Sequence, residues 1–168
     1  MLLHKGQTLF NQGEIGSLFH LRSGLLKIVR VHEDGHPFLV NIIVPDEVIP
    51  HHSLISPMSN HGSAIALVTC EVDSVSPEQW YEALGRSPEK SREVALLLQG
   101  KLRMMQQRID QLTEVEPANK LIKLQQWFAA YIGPAPLTDV LTQDEIGQLI
   151  GLRRETVNRL LRAQSKSL

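Results

Sequence analysis

The 168-residue sequence is short of several features, and each shortage excludes a class of protein. It has one cysteine, Cys70. A single thiol makes no internal disulfide and cannot supply a four-thiolate zinc or iron–sulfur site, so a reducing compartment fits and a cysteine-bound cluster does not. Cys70 is expected to be a small buried apolar residue. Aromatic residues make up only 5% of the chain, and no apolar run nears the roughly 20 residues that span a bilayer. The opening "MLLHKGQTLF" lacks the long apolar stretch of a signal peptide, so a cytoplasmic protein without a membrane partner is expected. An excess of one charge is missing too. The formal net charge is −1, which argues against a nonspecific nucleic-acid coat. What is there is an apolar share of 42%, enough for one good core or two small lobes.

The first part of the chain carries strand signals. "TLF", "SLFHL", "GLLKIVRV", "PFLVNIIV", "SAIALVT" and "CEVDSVS" are β-branched or apolar segments separated by "NQGE", "RSG", "EDGH" and "VPDE". Short, regularly spaced strands of this kind imply an antiparallel barrel or jelly-roll-like lobe. After "SPEQW" the period changes. From Glu89 to about Glu116 the apolar series Ala95, Leu98, Leu102, Met105, Ile109 and Leu112 is spaced alternately by three and four, a heptad seam. A helix of that length would be ~40 Å long, more than a small lobe can cover. Its seam therefore suits the same helix of a second copy of the chain, and the alternative is that one face packs on the β lobe.

Pro117 interrupts this helix, because proline cannot continue the hydrogen-bond ladder. The expected organisation is α+β: an N-terminal antiparallel β-roll, jelly-roll-like, over 1–86; a long dimerisation helix over 87–116; and a C-terminal helix-turn-helix lobe over 117–168. A hinge falls near 113–118. "ANKLIKLQQWFAAYI" is a further amphipathic helix, followed by the proline-rich connector "GPAPLTDV".

The segment "LTQDEIGQLIGLRRETVNRLLR" concentrates the basic charge that the total conceals. From Gly151 onward, Arg153, Arg154, Arg159, Arg162 and Lys166 face a single acid, Glu155. Thr142 and Glu145 have capping-box spacing, which predicts a helix from Gln143 to about Ile150. Gly151 then makes the turn and Leu152 enters the next helix. Ile146, Ile150, Leu152, Val157 and Leu160 can form a seam between two steeply crossing helices, and Gly147 lacks the side chain that would hold them apart. Arg154, Glu155, Asn158, Arg159 and Arg162 fall on the opposite, outward face. A bland alternative is a solvated helix laced by a Glu155–Arg159 pair. The sharper reading is a helix that enters the major groove of double-stranded DNA, where arginine forks suit guanine and glutamate can accept from cytosine.

That segment, preceded by the seam helix and by "KGQTLFNQGEIGSLFHLRSGLLKIVRVHEDG", resembles the Crp/Fnr family of bacterial transcription regulators over nearly the whole chain. The resemblance implies an effector-sensing β-roll, a dimerising helix and a helix-turn-helix lobe. "RETVNR" is similar to the version in the cyclic-AMP-responsive branch, with Arg154, Glu155 and Arg159 at its base-reading positions. Asn158 joins them in the expected base-reading set, and Thr142, Gln143, Arg153, Thr156 and Arg162 form the expected phosphate set. The implied partners are double-stranded DNA, a second copy of the chain and RNA polymerase, with an unidentified small-molecule effector also open.

The departures from the family pattern are specific. Cyclic-nucleotide binders carry a Gly-Glu-Leu stretch and then an Arg-Ser pair that holds the cyclic phosphate. The matching positions here are Pro50, His51 and His52, then Gly62 and Ser63. Without the arginine a buried phosphate would lose its charge-assisted bonds, so a regulator that does not respond to cyclic AMP is expected. His51, His52 and Ser63 remain candidates for some other effector pocket. With no His-x-His pair and no nucleophile beside a base, neither a metal, nor a cofactor, nor an enzyme activity is expected. The family also continues past the recognition helix into a small β wing, whereas this sequence stops at "AQSKSL". That motivates an alternative: a sensor or adaptor module of the same ancestry that no longer binds DNA.

Overall fold

The computed structural model describes residues 1–166, which divide into two compact units, Met1–Arg103 and residues 104–166. The first unit begins with β1 (Leu2–Leu3), β2 (Thr8–Phe10), β3 (Leu18–Ser23) and β4 (Leu26–Val31). It continues with β5 (Pro37–Ile43), β6 (Val48–Ile49), β7 (Ser63–Ala66) and β8 (Cys70–Val75). They form two antiparallel four-stranded sheets, in the orders β1-β8-β3-β6 and β2-β7-β4-β5. Between the sheets lies a core that includes Phe10, Leu21, Leu26, Ile43, Ile49, Ala66 and Val72. This is the expected β-roll. All six strand segments legible in the sequence are present; β1 and β6, at two residues each, are too short to show a period.

The β3–β4 turn shows why glycine is required there. Gly24 has φ +91°, and a Cβ on it would lie 2.4 Å from the Thr69 carbonyl oxygen and 2.7 Å from Cys70 Sγ. No other residue offers both the conformation and the space. Cys70 is fully buried beside it, as expected of a small apolar residue. Its thiol donates to the carbonyls of Leu25 and Val68, and burial pushes its pKa up.

Two helices follow, α1 (Pro77–Arg86) and α2 (Pro88–Thr113), where the sequence suggested one. Each starts on the same signal, "SPE". Ser76 Oγ accepts from the Gln79 amide and Ser87 Oγ from the Lys90 amide, while the following proline sits in the first turn, where its missing N–H costs nothing. Helix α2 ends at Thr113, three residues earlier than expected. The Glu114 carboxylate accepts from the amides of Val115 and Glu116 and turns the chain before Pro117 opens the next helix.

Helix α2 uses two faces. Val94, Leu97 and Leu98 pack on Leu18, Leu54, Trp80 and Tyr81, so the alternative in which one face rests on the β-roll holds for that stripe. Leu98, a residue of the expected seam, is half-buried in this cluster. Elsewhere on the seam Ala95, Leu102, Ile109 and Leu112 are exposed and Met105 is half-buried, with Leu102 62% exposed and Ile109 58%. Lys101 on the same helix pairs with the buried carboxylate of Glu47. The other Glu47 oxygen lies 3.0 Å from His51 Nε2, a polar contact that is not aligned as a hydrogen bond.

The second unit, besides the end of α2, comprises α3 (Pro117–Tyr131), α4 (Leu137–Val140), α5 (Gln143–Ile150) and α6 (Arg154–Ser165). Leu121, Leu124, Phe128, Ile146, Leu149, Ile150 and Val157 form its buried apolar interior. The connector read as "GPAPLTDV" contains α4, one turn long. Among the described residues no helix is long and apolar enough to cross a membrane.

Gly24→Ala should destabilise the chain by about 2 kcal/mol or more, through backbone strain and collision with Thr69 and Cys70. Urea unfolding followed by circular dichroism reads the loss; an unchanged midpoint would contradict the close approach.

Candidate nucleic-acid interface

Helix α5 starts on a complete capping box. Thr142 Oγ1 accepts from the Glu145 amide at 3.2 Å, and Glu145 Oε2 accepts from the Thr142 amide at 2.8 Å. It ends on Gly151, in the left-handed conformation at φ 66°. Leu152 does not enter the second helix, contrary to expectation. Its amide donates back to the Gly147 carbonyl at 2.9 Å, which closes α5, and α6 starts at Arg154 with Arg153 as an N-cap lacking a side-chain bond. The crossing is tight at Gly147, where a Cβ would stand 2.4 Å from the Leu152 carbonyl oxygen. Ile146, Ile150 and Val157 are fully buried at the seam, with Leu152 and Leu160 half-buried.

The outward face of α6 carries the charge. Arg153, Arg154, Glu155, Arg159 and Arg162 are exposed, and none of the four arginines has an ion-pair partner among the described residues. The Glu155–Arg159 lace is not formed among the described residues. Four unpaired guanidinium groups beside a buried stripe form a surface that an anionic polymer can neutralise.

Other expected contacts are already engaged within the chain. Asn158 Nδ2 donates to Gln143 Oε1 at 2.9 Å, so a base-reading candidate and a phosphate candidate hold each other. The Thr142 hydroxyl belongs to the capping box, and Thr156 is half-buried. Helix α6 is further tied to α3 by the paired amides of Gln125 and Gln164, at 3.0 and 3.2 Å. Neither glutamine carries a sequence signal, because an isolated amide has no pattern.

In the β-roll the effector candidates are held apart. His51 and His52 lie in a 3-10 turn, His51–Ser53, with His51 turned to Glu47. His52 makes its bond with the Ser59 carbonyl, and Ser63 Oγ accepts from the Gln12 amide at 2.9 Å. Arg30 on β4, which the sequence did not single out, contacts the His61 ring. Desolvation lowers the pKa of His52, with His61 and His51 adding to the effect; desolvation and then Arg30 lower that of His61. Among the described residues no group of His, Cys, Asp and Glu is arranged to hold a metal.

Comparison with known proteins agrees with this anatomy at both ends. Residues 1–87 match the cyclic nucleotide-binding domain, and residues 140–163 match the bacterial regulatory proteins of the crp family. The cyclic-AMP-activated global transcriptional regulator of Mycobacterium tuberculosis is 32% identical over 163 residues, 94% of this chain and 73% of that protein. The chain belongs to the Crp/Fnr family of transcription regulators. The fumarate and nitrate reduction regulatory protein of Escherichia coli is 28% identical over 98% of this chain and 68% of its own length. The structure of FixK2 from Bradyrhizobium japonicum shares the fold, with a TM-score of 0.86 at 18% identity, over 99% of this chain and 84% of that one.

Gly62, just before β7, is sterically confined. A Cβ there would lie 2.8 Å from the Val29 carbonyl oxygen and 3.0 Å from Ile28 Cγ2. A side chain at position 62 would force the backbone of β4 or β7 to move.

Two outcomes follow from this geometry. Gly147→Ala should push α6 away from α5 and destabilise the helical unit by about 1–3 kcal/mol, seen as a lowered urea midpoint; an unchanged midpoint would show the crossing to be looser than described. His52 and His61 should titrate below about 6.5 by proton NMR. Their lowered folded values mean that the unfolded chain takes up protons first, so this contribution to stability is present above pH 6.5 and is lost on acidification through the folded values. Titration at or above 6.5 would contradict the burial.

Proposed function

We propose that the chain is a sequence-specific DNA-binding regulator that acts as a homodimer and does not answer to cyclic AMP. The observation that carries this reading is the exposed, unpaired arginine face of α6, set on a helix-turn-helix whose buried seam and capping box are complete. Arg154, Glu155 and Arg159 would meet base edges in the major groove. Arg153 and Arg162, toward the two ends of the helix, would meet phosphates. Thr142, Gln143, Thr156 and Asn158 would join them only on giving up part of their present contacts or by offering the atoms left over.

The exposed apolar line of Ala95, Leu102, Ile109 and Leu112 supports pairing of two copies, because water-exposed leucine and isoleucine at heptad spacing favour a matching helix. Two copies would present their α6 helices about one turn of DNA apart, ~34 Å, to a two-fold-related site. The break at Glu114, before Pro117, would serve as the hinge between the paired helices and the reading heads. Cyclic AMP is disfavoured by the lack of a cation at Gly62 and by the steric closure there.

Selection from randomised duplexes tests the reading. It should enrich a two-fold-related motif, and Arg159→Ala should weaken binding to that motif by ~1–3 kcal/mol while relaxing one base preference. Cyclic AMP should leave the affinity unchanged. An equal loss on every duplex would make Arg159 a phosphate contact, and no enrichment at all would favour an adaptor that has given up DNA.

A further inference from the structure

Two basic side chains in the second unit point inward, and neither belongs to the arginine face. Arg108, on α2, is 3% exposed and has no carboxylate partner among the described residues. Its guanidinium lies over the Trp127 ring at 5.3 Å and donates to Gln111 Oε1 and to the carbonyl of Leu149. Its Nε has no partner among the described residues. Lys120, on α3, donates from Nζ to the carbonyl of Leu112 at 2.9 Å and to that of Ile150 at 3.2 Å. Leu149 and Ile150 are the last two residues of α5, and Leu112 lies in the last turn of α2.

The carbonyls that end a helix have no partner within it and carry the negative end of its dipole. Two cations from two different helices therefore close the end of α5, and Lys120 joins it to the end of α2. Stability alone does not account for this arrangement. A buried charge with an unmet donor is costly, and an apolar residue of similar length often does as well or better in such a place. Burial is severe enough to bring the Arg108 pKa down to about 10. What the pair supplies is direction, since each donor fixes where a carbonyl at the end of α5 can lie.

We propose that Arg108 and Lys120 are positioning residues that lock the helix-turn-helix onto the end of the long helix and so set the spacing at which two recognition helices meet DNA. The effect on DNA rests on the DNA-binding reading above; the lock itself does not. Arg108 reaches α5 from the helix that carries the exposed seam, so pairing of two copies would be transmitted to α6 through α5. Gly147 and the buried Val157 then hold α6 to α5.

The test compares the full chain with its Arg108→Met, Arg108→Lys and Lys120→Met variants. Hydrogen exchange without DNA should speed up ~tenfold at the amides of Gly151 and Leu152 in both methionine variants, with the β-roll unaffected. On DNA, the wild-type chain should discriminate the selected motif from one with its half-sites moved one base pair apart. Both methionine variants should lose ~tenfold of that discrimination while binding scrambled duplex within about twofold of wild type. Arg108→Lys, which can still reach one carbonyl, should recover part of it. Unchanged exchange together with unchanged spacing preference in folded variants overturns the proposal. If Arg108→Met does not fold, the half-exposed Lys120→Met decides by the same readouts. If the wild-type chain selects no motif, the DNA-binding reading fails and hydrogen exchange alone judges the lock.

Discussion

The structure depends on one constraint: a single unbroken helix, α2, must serve neighbours on more than one side. Its 26 residues keep a regular apolar period, yet no single face can both cover the β-roll and stay open to a partner. The helix divides the work by angle. Val94 and Leu97 turn to Leu18, Leu54 and Trp80, while Leu102, Ile109 and Leu112 turn to water. Leu98 falls between the two and is drawn to the β-roll side. The apolar surface left over is what the proposed pairing with a second copy would cover.

The polar groups on the same helix follow a second rule. Where α2 passes the β-roll, Lys101 meets the buried Glu47, which His51 also approaches. Further along, Arg108 is buried against backbone carbonyls and an indole rather than a carboxylate. Interactions of this kind contribute little net stability, because desolvation offsets most of what the contact returns, but they allow few geometries. On the proposed reading, in which two reading heads sit at a fixed separation, that restriction would matter more than additional burial. The exposed arginines of α6 contribute in the opposite way: unpaired and solvated, they cost little until an anionic partner arrives.

Much of this was legible because the signals were local. The "TLF" and "PFLVNIIV" strands, the Thr142–Glu145 box and the Gly147 and Gly151 positions each follow from chemistry within a few residues. The outward placement of Arg154 and Arg159 follows from helical spacing alone. What stayed hidden was short or long-range. Two-residue strands have no period, and α6 starts later than helical spacing predicts because the Leu152 amide reaches back to Gly147. Arg108 and Gln111 carry no signal of their own between seam positions, and only the packing of α3 and α5 around them shows their burial. The "SPE" repeat at Ser76 and Ser87 was visible and would have separated α1 from α2. Among the histidines, side-chain partners decided the outcome. His51 was taken by Glu47, and no strand pattern could have shown it.

In the proposed dimer, two chains joined along the open face of α2 would set their arginine-bearing helices in successive major grooves on one side of a duplex. Hydroxyl-radical cleavage of DNA saturated with the protein measures this most directly. Protected stretches on both strands, related by a two-fold axis and centred about one helical turn apart, ~34 Å, are expected. A single unsymmetrical patch, or uniform protection along the duplex, would contradict that arrangement.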